Sequence, residues 1–498
     1  MKIALFLLFF IANCIVNAQS IGQFEHHEDI GSPKMTGNAT YNTTTQEYTV
    51  SSAGQNMWAT NDQFHFLWKK IKGDFIITAT VRFIGKGTDP HRKIGIIARE
   101  NLTTDARYAD ACVHGVDLTS LQFRDTVGGK TNQVIVQSFN STNIQLERSG
   151  NTFTFSAAVS GENYKTVSKE LVLNDELYAG LFVCSHNEAV IEQAVFSNVR
   201  IIIPAAKDFK PYRDYIGSHI EVMDVQTGLR TILHSAPNSL QAPNWTKDGK
   251  TLIYNAEGLM YNYDLATNKI SKLNTGTVTQ NNNDHVLSFD GKMIALSNHV
   301  GDKRISTLFT LPVTGSDKPT MITSPDSGHS YLHSWSLDGK KLIFTGQRNK
   351  QFDIWQIDIA THKETALTNT LTLDDSPELS PDGNWIYFNS TRTGTMKIWR
   401  MKPDGSQQEQ VTFDEYNDWF PHFSPDGKWI VYISFPKEIE ANEHPWYKKV
   451  YLRLMPTNGG LAKNIAYVYG GQGTINVPSW SPDSKRIAFV SNSKFYNP

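Results

Sequence analysis

Apolar and polar residues alternate with period two along most of this chain, a pattern that predicts half-buried β-strands rather than helices. In the second half the alternation follows six copies of one turn. The copies read NWTKDGKTLIY at 244–254, LSFDGKMIAL at 287–296, SWSLDGKKLIF at 334–344, ELSPDGNWIYF at 378–388, HFSPDGKWIVY at 422–432 and SWSPDSKRIAF at 479–489. Their turn aspartates are separated by 42, 48, 44, 44 and 57 residues, which is the period of four-stranded propeller blades.

Each copy has residues that favour a hairpin. Pro presets the first turn dihedral, Asp hydrogen-bonds the turn with its own side chain, and Gly accepts a positive φ angle. The strand that follows alternates, as in Trp429, Val431 and Ile433. A second strand pair comes next, for example at 353–368 and 397–412. We therefore expect four strands in each blade.

The two ends of the repeat array predict that the ring is closed. The last copy stops near the end of the chain without its outer strand pair, whereas 219–234 reads as an outer pair without an inner one. Together they complete one blade from both ends of the array, which removes exposed sheet edges. The array therefore predicts six blades.

The repeats resemble those of the TolB-like six-bladed propellers, which carry the same S-P-D-G-K turn before an alternating strand. The resemblance covers roughly residues 205–498 and implies the fold. It does not imply one activity, because related propellers serve as periplasmic docking modules, peptidase gating domains and polysaccharide lyases.

The first part of the chain predicts an antiparallel β-sandwich. Short alternating strands are expected at 74–85, 92–100, 120–125, 152–160 and 177–185. The pattern is similar to the concanavalin A-like lectin and glucanase jelly rolls, notably in DIGSPKMTGNATYN, MWATNDQFHF and the pair KIGIIARE with VHGVDLTSLQFR. We expect an all-β chain with a signal peptide at 1–18, a sandwich at 19–203, a linker at 204–216 and a propeller at 217–498.

The predicted signal peptide places the chain in the periplasm or outside the cell. Lys2 precedes an apolar run, and cleavage is expected after Ala18; a lipid anchor on Cys14 is disfavoured because Asn precedes it. No later stretch is long and apolar enough to predict a membrane span. The chain without Lys2 has 46 basic and 49 acidic residues, which argues against nucleic acid as a partner. Cys112 and Cys184 could form one disulfide or remain buried thiols.

The sandwich has residues suited to sugar binding, which needs aromatic faces for stacking and polar groups for hydroxyls. The candidates are Trp58, His65, Arg99, His114, Gln122 and Arg124. The alternative is that the aromatic residues spaced by two, from Trp58 through Trp68, belong to the core. A retaining glucanase needs two close carboxylates, commonly in an E-x-D-x-x-E strand, and this motif is absent from the sequence.

The segments that lead into the innermost strand of each blade, called lead-in segments, predict a ligand site at the mouth of the propeller channel. The residue five before the turn aspartate is Pro in four blades but His285 and His333 in two adjacent ones. Similar lead-in positions hold Asp284, Asp375, Glu378, Trp419 and His422. Imidazoles and carboxylates can bind a divalent metal, so His285, His333 and His422 are candidate ligands, as in propeller lyases that this repeat resembles. The alternative is that these histidines are structural.

The insertion at 436–480 adds a second candidate for the mouth. It resembles a segment shared by a periplasmic subset of TolB-like proteins, and its glycines at 470, 471 and 473 favour a tight loop. His444, Arg453, Gln472 and Asn476 could present polar groups there. The alternative is a plain hairpin extension.

Three functions remain open from the sequence. The preferred one is a secreted or periplasmic binding protein for a polysaccharide, oligosaccharide or partner protein. The second is a polysaccharide-active enzyme, a metal-assisted lyase or a glycoside-processing activity, at the channel histidines. The third is a TolB-like scaffold that docks envelope proteins. A G-x-S-x-G elbow is absent from the sequence, so the hydrolase domain of propeller peptidases is not expected.

Overall fold

The structure, a computed structural model, describes residues 21–210 and 213–495. The predicted signal peptide, its cleavage site and Cys14 lie outside these residues. The described chain forms 37 β-strands and one short 3-10 helix, Pro325–Ser327. The all-β prediction is therefore confirmed.

Fourteen strands form the N-terminal domain. They are β1 His26–Ile30, β2 Asn38–Asn42, β3 Glu47–Ser52, β4 Phe64–Lys72, β5 Phe75–Ile84, β6 Lys93–Arg99, β7 Tyr108–His114, β8 Thr119–Arg124, β9 Asn132–Ile135, β10 Asn143–Ser149, β11 Thr152–Ala158, β12 Lys165–Glu170, β13 Glu176–Cys184 and β14 Glu192–Ile202. They pair in two seven-stranded sheets, ordered β1-β4-β13-β6-β7-β8-β9 and β12-β11-β10-β5-β14-β3-β2.

The two sheets pack against each other around one apolar core. Ile94 and Ile96 of β6 enter this core from the first sheet, and Ile77 and Ala79 of β5 enter it from the second. The intervening residues of the first sheet point away from the core and pack under the segment that contains Met57. The domain is therefore built of two facing sheets, and its jelly-roll type stays a prediction.

The propeller follows after a segment without strands. Its strands are β15 Ser218–Asp224, β16 Arg230–Ala236, β17 Leu240–Trp245, β18 Thr251–Ala256, β19 Leu259–Asp264, β20 Ile270–Lys272, β21 Asn281–Leu287, β22 Met293–Val300, β23 Ile305–Pro312, β24 Thr320–Met321, β25 Ser330–Trp335, β26 Lys341–Arg348, β27 Gln351–Asp358, β28 Glu364–Ala366, β29 Asp374–Leu379, β30 Ile386–Ser390, β31 Lys397–Met401, β32 Glu409–Gln410, β33 Asn417–Phe423, β34 Trp429–Phe435, β35 Lys448–Pro456, β36 Lys463–Gly470 and β37 Arg486–Asn492.

These strands form six blades. Blade 1 is β16-β15-β37, and blades 2 to 6 are β17–β20, β21–β24, β25–β28, β29–β32 and β33–β36, each a four-stranded sheet. β37 pairs antiparallel with β15 from Ser218↔Asn492 to Asp224↔Arg486. The last described strand therefore completes the first blade, which confirms the predicted six blades and their closure.

The repeated turn has the predicted chemistry. Asp382 Oδ1 accepts hydrogen bonds from the Ser380 hydroxyl at 2.5 Å and from the Asn384 N–H at 3.0 Å. Gly383 has a φ of 73°, a value that suits glycine. The turn therefore satisfies its own polar groups.

The innermost strand of blades 2 to 6 carries an irregularity in the middle. In blade 5 the register shifts between Asp375 and Glu378, and in blade 6 between Trp419 and His422. Residues before the shift lie at the end of the ring where the inner strands begin, and residues after it lie deeper. The shift therefore separates positions at the mouth from positions in the seams between blades.

A buried ion cluster joins the two domains. Glu221 of β15 lies between Arg200 of β14, at 2.6 Å, and Arg230 of β16, at 2.8 Å. The hydroxyl of Ser491 in β37 also donates to Glu221. One carboxylate therefore contacts the N-terminal domain and both chain segments that close the ring.

Candidate functional site

A cavity of about 1370 Å³ occupies the end of the ring where the inner strands begin. Its wall is rich in side-chain amides, including those of Asn281, Asn282 and Asn283 of β21. Six residues predicted from sequence line it. They are Asp284, His333, Asp375, His444, Gln472 and Asn476. The insertion at 436–480 therefore does contribute to the mouth of the channel.

His333 and Asp375 meet in this cavity from adjacent blades. His333 Nε2 lies 3.6 Å from Asp375 Oδ1, and the Thr345 hydroxyl donates to the same oxygen at 2.6 Å. Burial lowers the pKa of His333 to about 4, although Asp375 opposes this shift. His333 is therefore neutral at pH 7.

Asp284 is a third ionisable group on the cavity wall. Burial, followed by the charge of Asp375, raises its pKa well above the usual value. Asp284 and Asp375 therefore place two carboxyl groups in one cavity, and burial disfavours the charged form of Asp284, an arrangement suited to hydrogen bonding and to acid–base chemistry.

His444 lies on an aromatic floor. Its ring packs against Trp419 at 4.4 Å and Phe420 at 5.2 Å between ring centroids. Burial lowers the pKa of His444, and its Nδ1 has no hydrogen-bond partner in the structure. Trp419 is fully buried beneath it and supports the site rather than lining it.

The insertion loop is held close to the preceding segment by glycine. Gly471 has a φ of 128°, and a Cβ at this position would lie 2.0 Å from the carbonyl oxygen of Pro445. Asn476 Oδ1 accepts the Gly473 N–H at 2.7 Å. These contacts fix the loop that presents Gln472 to the cavity.

The three histidines predicted as a metal set do not meet. His285 Nε2 lies 3.3 Å from the Ile253 carbonyl oxygen of blade 2, and His422 Nδ1 lies 2.5 Å from Glu378 Oε2 of blade 5. Both occupy positions beyond the strand irregularities, so they point into the seams between blades. No group of three or more His, Cys, Asp or Glu residues that could hold a metal occurs in residues 21–210 and 213–495.

Glu378 and Arg453 also have structural partners away from the cavity. Glu378 accepts the Phe423 N–H at 2.9 Å. Arg453 contacts Asp414 and lies 3.6 Å from Asp418. Burial raises the pKa of Asp418 to about 6. This cluster belongs to the inside of blade 6 and does not line the mouth.

In the N-terminal domain, Arg99 and Arg124 are fully buried and bind Asp62 at 3.2 and 2.6 Å. His65 Nδ1 lies 2.7 Å from Asp29, and its Nε2 lies 2.9 Å from His27 Nδ1. These contacts fix the fold around Arg99, Arg124 and His65 and leave none of the three on an open face.

The remaining three sandwich candidates lie close to one another. Trp58 is 39% exposed, so it is not a core residue, whereas Phe64, Phe66 and Trp68 are buried as the alternative expected. His114 and Gln122 are buried near it. Cys112 and Cys184 are free buried thiols, so the disulfide alternative is wrong for this structure.

Sequence reasoning missed several mouth residues. Arg304 and Lys350 lie on turns between strands and line the cavity, but turn residues of this type carry no sequence pattern that separates a ligand group from a solvated one. The asparagine run at 281–283 was a usable signal, because three successive amides on a strand are unusual.

The fold and the mouth cavity define a six-bladed propeller of the TolB type joined to a two-sheet domain. Residues 316–447 match the family model of the TolB beta propeller domain. An uncharacterized protein of Agrobacterium fabrum is 42% identical over 274 residues, which cover 55% of this chain and 92% of that protein. The chain belongs to the TolB-like propeller family.

A solved structure supports this assignment. A putative TolB from Agrobacterium tumefaciens, of known structure, is 41% identical in sequence to this chain, with a TM-score of 0.54. The match spans 57% of this chain and 100% of that protein's chain. TolB from Acinetobacter baumannii is 19% identical with a TM-score of 0.40 over 51% of this chain and 64% of that one. In the described ranges, no helix combines the length and apolar character needed to span a membrane.

Proposed function

We propose that this chain is a binding protein of the periplasm or cell exterior that docks a segment of a partner envelope protein in the mouth of its propeller. The observation that carries this proposal is the size and lining of the cavity. At about 1370 Å³ it exceeds the usual range for a small ligand, roughly 300–1000 Å³. An extended peptide segment fills such a space.

The apolar residues at the rim of the cavity favour a protein over a free sugar as the ligand. Leu371 lines the cavity and is fully exposed, and Phe352 lines it nearby. Leu371 and Phe352 therefore place apolar surface beside the polar wall, where an apolar side chain of a partner can pack. Side-chain amides deeper in the wall, such as that of Asn283, supply donors and acceptors for a peptide backbone.

The charged residues on the cavity wall indicate which kind of peptide segment can bind. Glu257, Asp284 and Asp375 are the acidic lining residues, and Arg304 and Lys350 are the basic ones. Burial raises the pKa of Asp284 and disfavours its charged form, so the acidic and basic groups of the wall are close to balanced. The segment is therefore expected to have little net charge and one apolar anchor at Leu371.

Affinity capture from cells that export the tagged full chain tests this function. Leu371→Asp should reduce recovery of a partner at least about tenfold, because burying an unpaired charge at an interface costs more than 1.4 kcal/mol. Leu461→Asp is the matched control, since Leu461 is 91% exposed on the loop between β35 and β36. Equal recovery with both variants would contradict the proposal.

The second candidate is an enzyme that acts on a polysaccharide. The neutral imidazole of His333 and the carboxyl groups of Asp375 and Asp284 favour it, because they offer candidate bases and a candidate acid in one cavity. Incubation with neutral and uronic polysaccharides, with and without divalent metal, followed by mass spectrometry tests it. New oligosaccharides that disappear with Asp375→Asn would support the enzyme, and their absence would leave the docking function.

For the N-terminal domain we infer a concanavalin A-like sandwich that binds carbohydrate. Its two facing seven-stranded sheets and the exposed Trp58 support this inference. Retention of the chain on an immobilised polysaccharide, and its loss in Trp58→Ala, is the expected result. An unretained wild-type chain would argue against it.

A further inference from the structure

The outer face of β6, β7 and β8 carries a group of polar side chains away from the propeller. Lys93 of β6, Asp110 of β7 and Gln122 of β8 are all less than 3% exposed. Asp110 lies directly opposite Gln122 in the strand pairing. The three strands therefore bury an amine, a carboxyl and an amide on one face of the sheet.

Four polar atoms of these three side chains lack a hydrogen-bond partner. Lys93 Nζ, both carboxyl oxygens of Asp110 and Gln122 Oε1 are buried without a hydrogen-bond partner. Burial raises the pKa of Asp110 well above the usual value, while Lys93 and the approaching Gln122 N–H oppose the shift. Leaving such groups unpaired costs several kcal/mol, so the site is incomplete without a polar molecule.

Asp62, on the same face of the sheet, is a buried carboxyl group that has hydrogen-bond partners. Asp62 accepts hydrogen bonds from Arg99 at 3.2 Å and from Arg124 at 2.8 and 2.6 Å. Both carboxyl oxygens of Asp62 are therefore paired, although Arg99 Nε and Nη1 and Arg124 Nε also lack a hydrogen-bond partner. Asp110 differs from Asp62, because neither of its carboxyl oxygens is paired.

Trp58 covers the group. Its ring centroid lies 5.7 Å from Lys93 Nζ, and the side chain is 39% exposed. The backbone of its segment is fixed, because the Thr131 N–H donates to the Trp58 carbonyl oxygen at 3.1 Å and Arg124 donates to the Ala59 carbonyl oxygen at 2.9 Å. The indole therefore lies near Lys93 and presents part of its aromatic surface to solvent.

We propose that Trp58, Lys93, Asp110 and Gln122 form a ligand site, the Lys93 site, which binds the vicinal diol of a neutral sugar unit. This proposal rests on the carbohydrate binding inferred for the domain and names its site. A hydroxyl accepts from Lys93 and donates to Asp110, so one neutral group supplies both the acceptor and the donor that these side chains lack. A second hydroxyl donates to Gln122 Oε1.

The orientation of Gln122 supports this assignment. Its Nε2 is engaged with the Ser120 hydroxyl at 3.3 Å and with His114 Nε2 at 3.4 Å, so Oε1 is the atom left to accept. The apolar face of a pyranose can stack on the Trp58 indole. The site therefore offers two acceptors, one donor and one aromatic face.

Titration of the full chain with methyl α-mannopyranoside, methyl α-galactopyranoside and methyl α-glucopyranoside tests the Lys93 site. We expect saturable binding of at least one glycoside by calorimetry, with a tryptophan fluorescence change that Trp58→Phe removes. Lys93→Met should weaken binding at least about tenfold, and Lys72→Met, on exposed β4 surface, should not. Absence of binding by all three glycosides, or unchanged affinity in Lys93→Met, would overturn the proposal.

Stability separates a ligand site from a structural one. Met matches the length of Lys without its charge, so Lys93→Met should raise the thermal midpoint of the ligand-free chain. A Lys93 held by permanent internal water would instead lose partners, and the midpoint would fall, which contradicts the proposal. Asp110→Asn serves as a second variant and should also weaken glycoside binding. If the wild type binds a glycoside and neither Lys93→Met nor Asp110→Asn changes the affinity, the domain binds carbohydrate at another place. That result would contradict the Lys93 site but not carbohydrate binding by the domain.

Discussion

At the scale of single residues, burial decides which polar side chains are available. His333 and His285 occupy the same position relative to their turn aspartates, yet His333 lines the cavity and His285 contacts the Ile253 carbonyl oxygen in a seam. Both imidazoles have their pKa lowered to about 4, chiefly by burial. Position in the repeat therefore does not determine the role of a residue.

Replacement of His422 with Ala should destabilise the propeller. His422 connects Glu378 at 2.5 Å with the Ile475 carbonyl oxygen at 2.6 Å, and both would lose a buried partner. The expected loss is about 2–4 kcal/mol in free energy of unfolding. Urea denaturation of the variant beside His26→Ala, an exposed position of β1, measures it. A loss no larger than in His26→Ala would mean that His422 is not structural.

The sequence supports single-residue predictions unevenly. The turn aspartates and glycines were predictable because their chemistry is local: Asp382 hydrogen-bonds within its own turn. The failure of His285, His333 and His422 to converge was not predictable, because a shift in strand pairing changes which way a side chain points. Trp58 was predicted as a ligand residue and is exposed, and its role stays a prediction; Lys93 beside it carried no motif.

At the scale of elements, the repeated turn sets the register of each blade. Gly427 and Gly383 both have positive φ, 70° and 73°. A Cβ on Gly427 would meet nothing within 4 Å, whereas one on Gly383 would lie 2.7 Å from Leu337 Cδ1. A substitution at Gly427 therefore tests backbone strain alone, whereas one at Gly383 tests the same strain together with steric overlap.

Gly427→Ala should cost about 1 kcal/mol, since alanine is strained at positive φ. Gly383→Ala should cost more, because Leu337 must also move. Chemical denaturation of both variants gives the comparison directly. Equal losses would show that Leu337 yields without cost, and no loss in Gly427→Ala would contradict the strain assigned to the turn.

At the scale of the whole molecule, Glu221 joins the N-terminal domain to the closed ring. Burial alone would raise the pKa of Glu221, but Arg200 and Arg230 lower it well below the usual value. Ring closure was predictable from the incomplete repeats at both ends of the array. The cluster itself was not, because it joins strands far apart in sequence.

Glu221→Gln should destabilise the chain by about 3–5 kcal/mol, because it leaves two buried guanidinium groups without a counter-charge. Calorimetry should show both domains affected, since Arg200 belongs to β14 and Arg230 to β16. Glu176→Gln, at an exposed pair with Lys70, is the control. A transition altered in only one domain would mean that the cluster does not couple them.

The buried neutral histidines predict how the whole molecule responds to acid. Burial lowers the pKa of His219, His285 and His333 to about 4 each, whereas an unfolded histidine titrates near 6.5. Below about pH 6.5 the unfolded chain binds more protons, so stability is lost as pH falls towards 4. Glu221, with its lowered pKa, adds to this loss below the unfolded carboxyl value of about 4.3. Urea midpoints between pH 7.5 and 4.5 should therefore fall steadily, and His285→Gln should flatten the slope by about one proton. A slope unchanged in His285→Gln would mean that this imidazole is already charged in the fold, contrary to the burial that lowers its pKa.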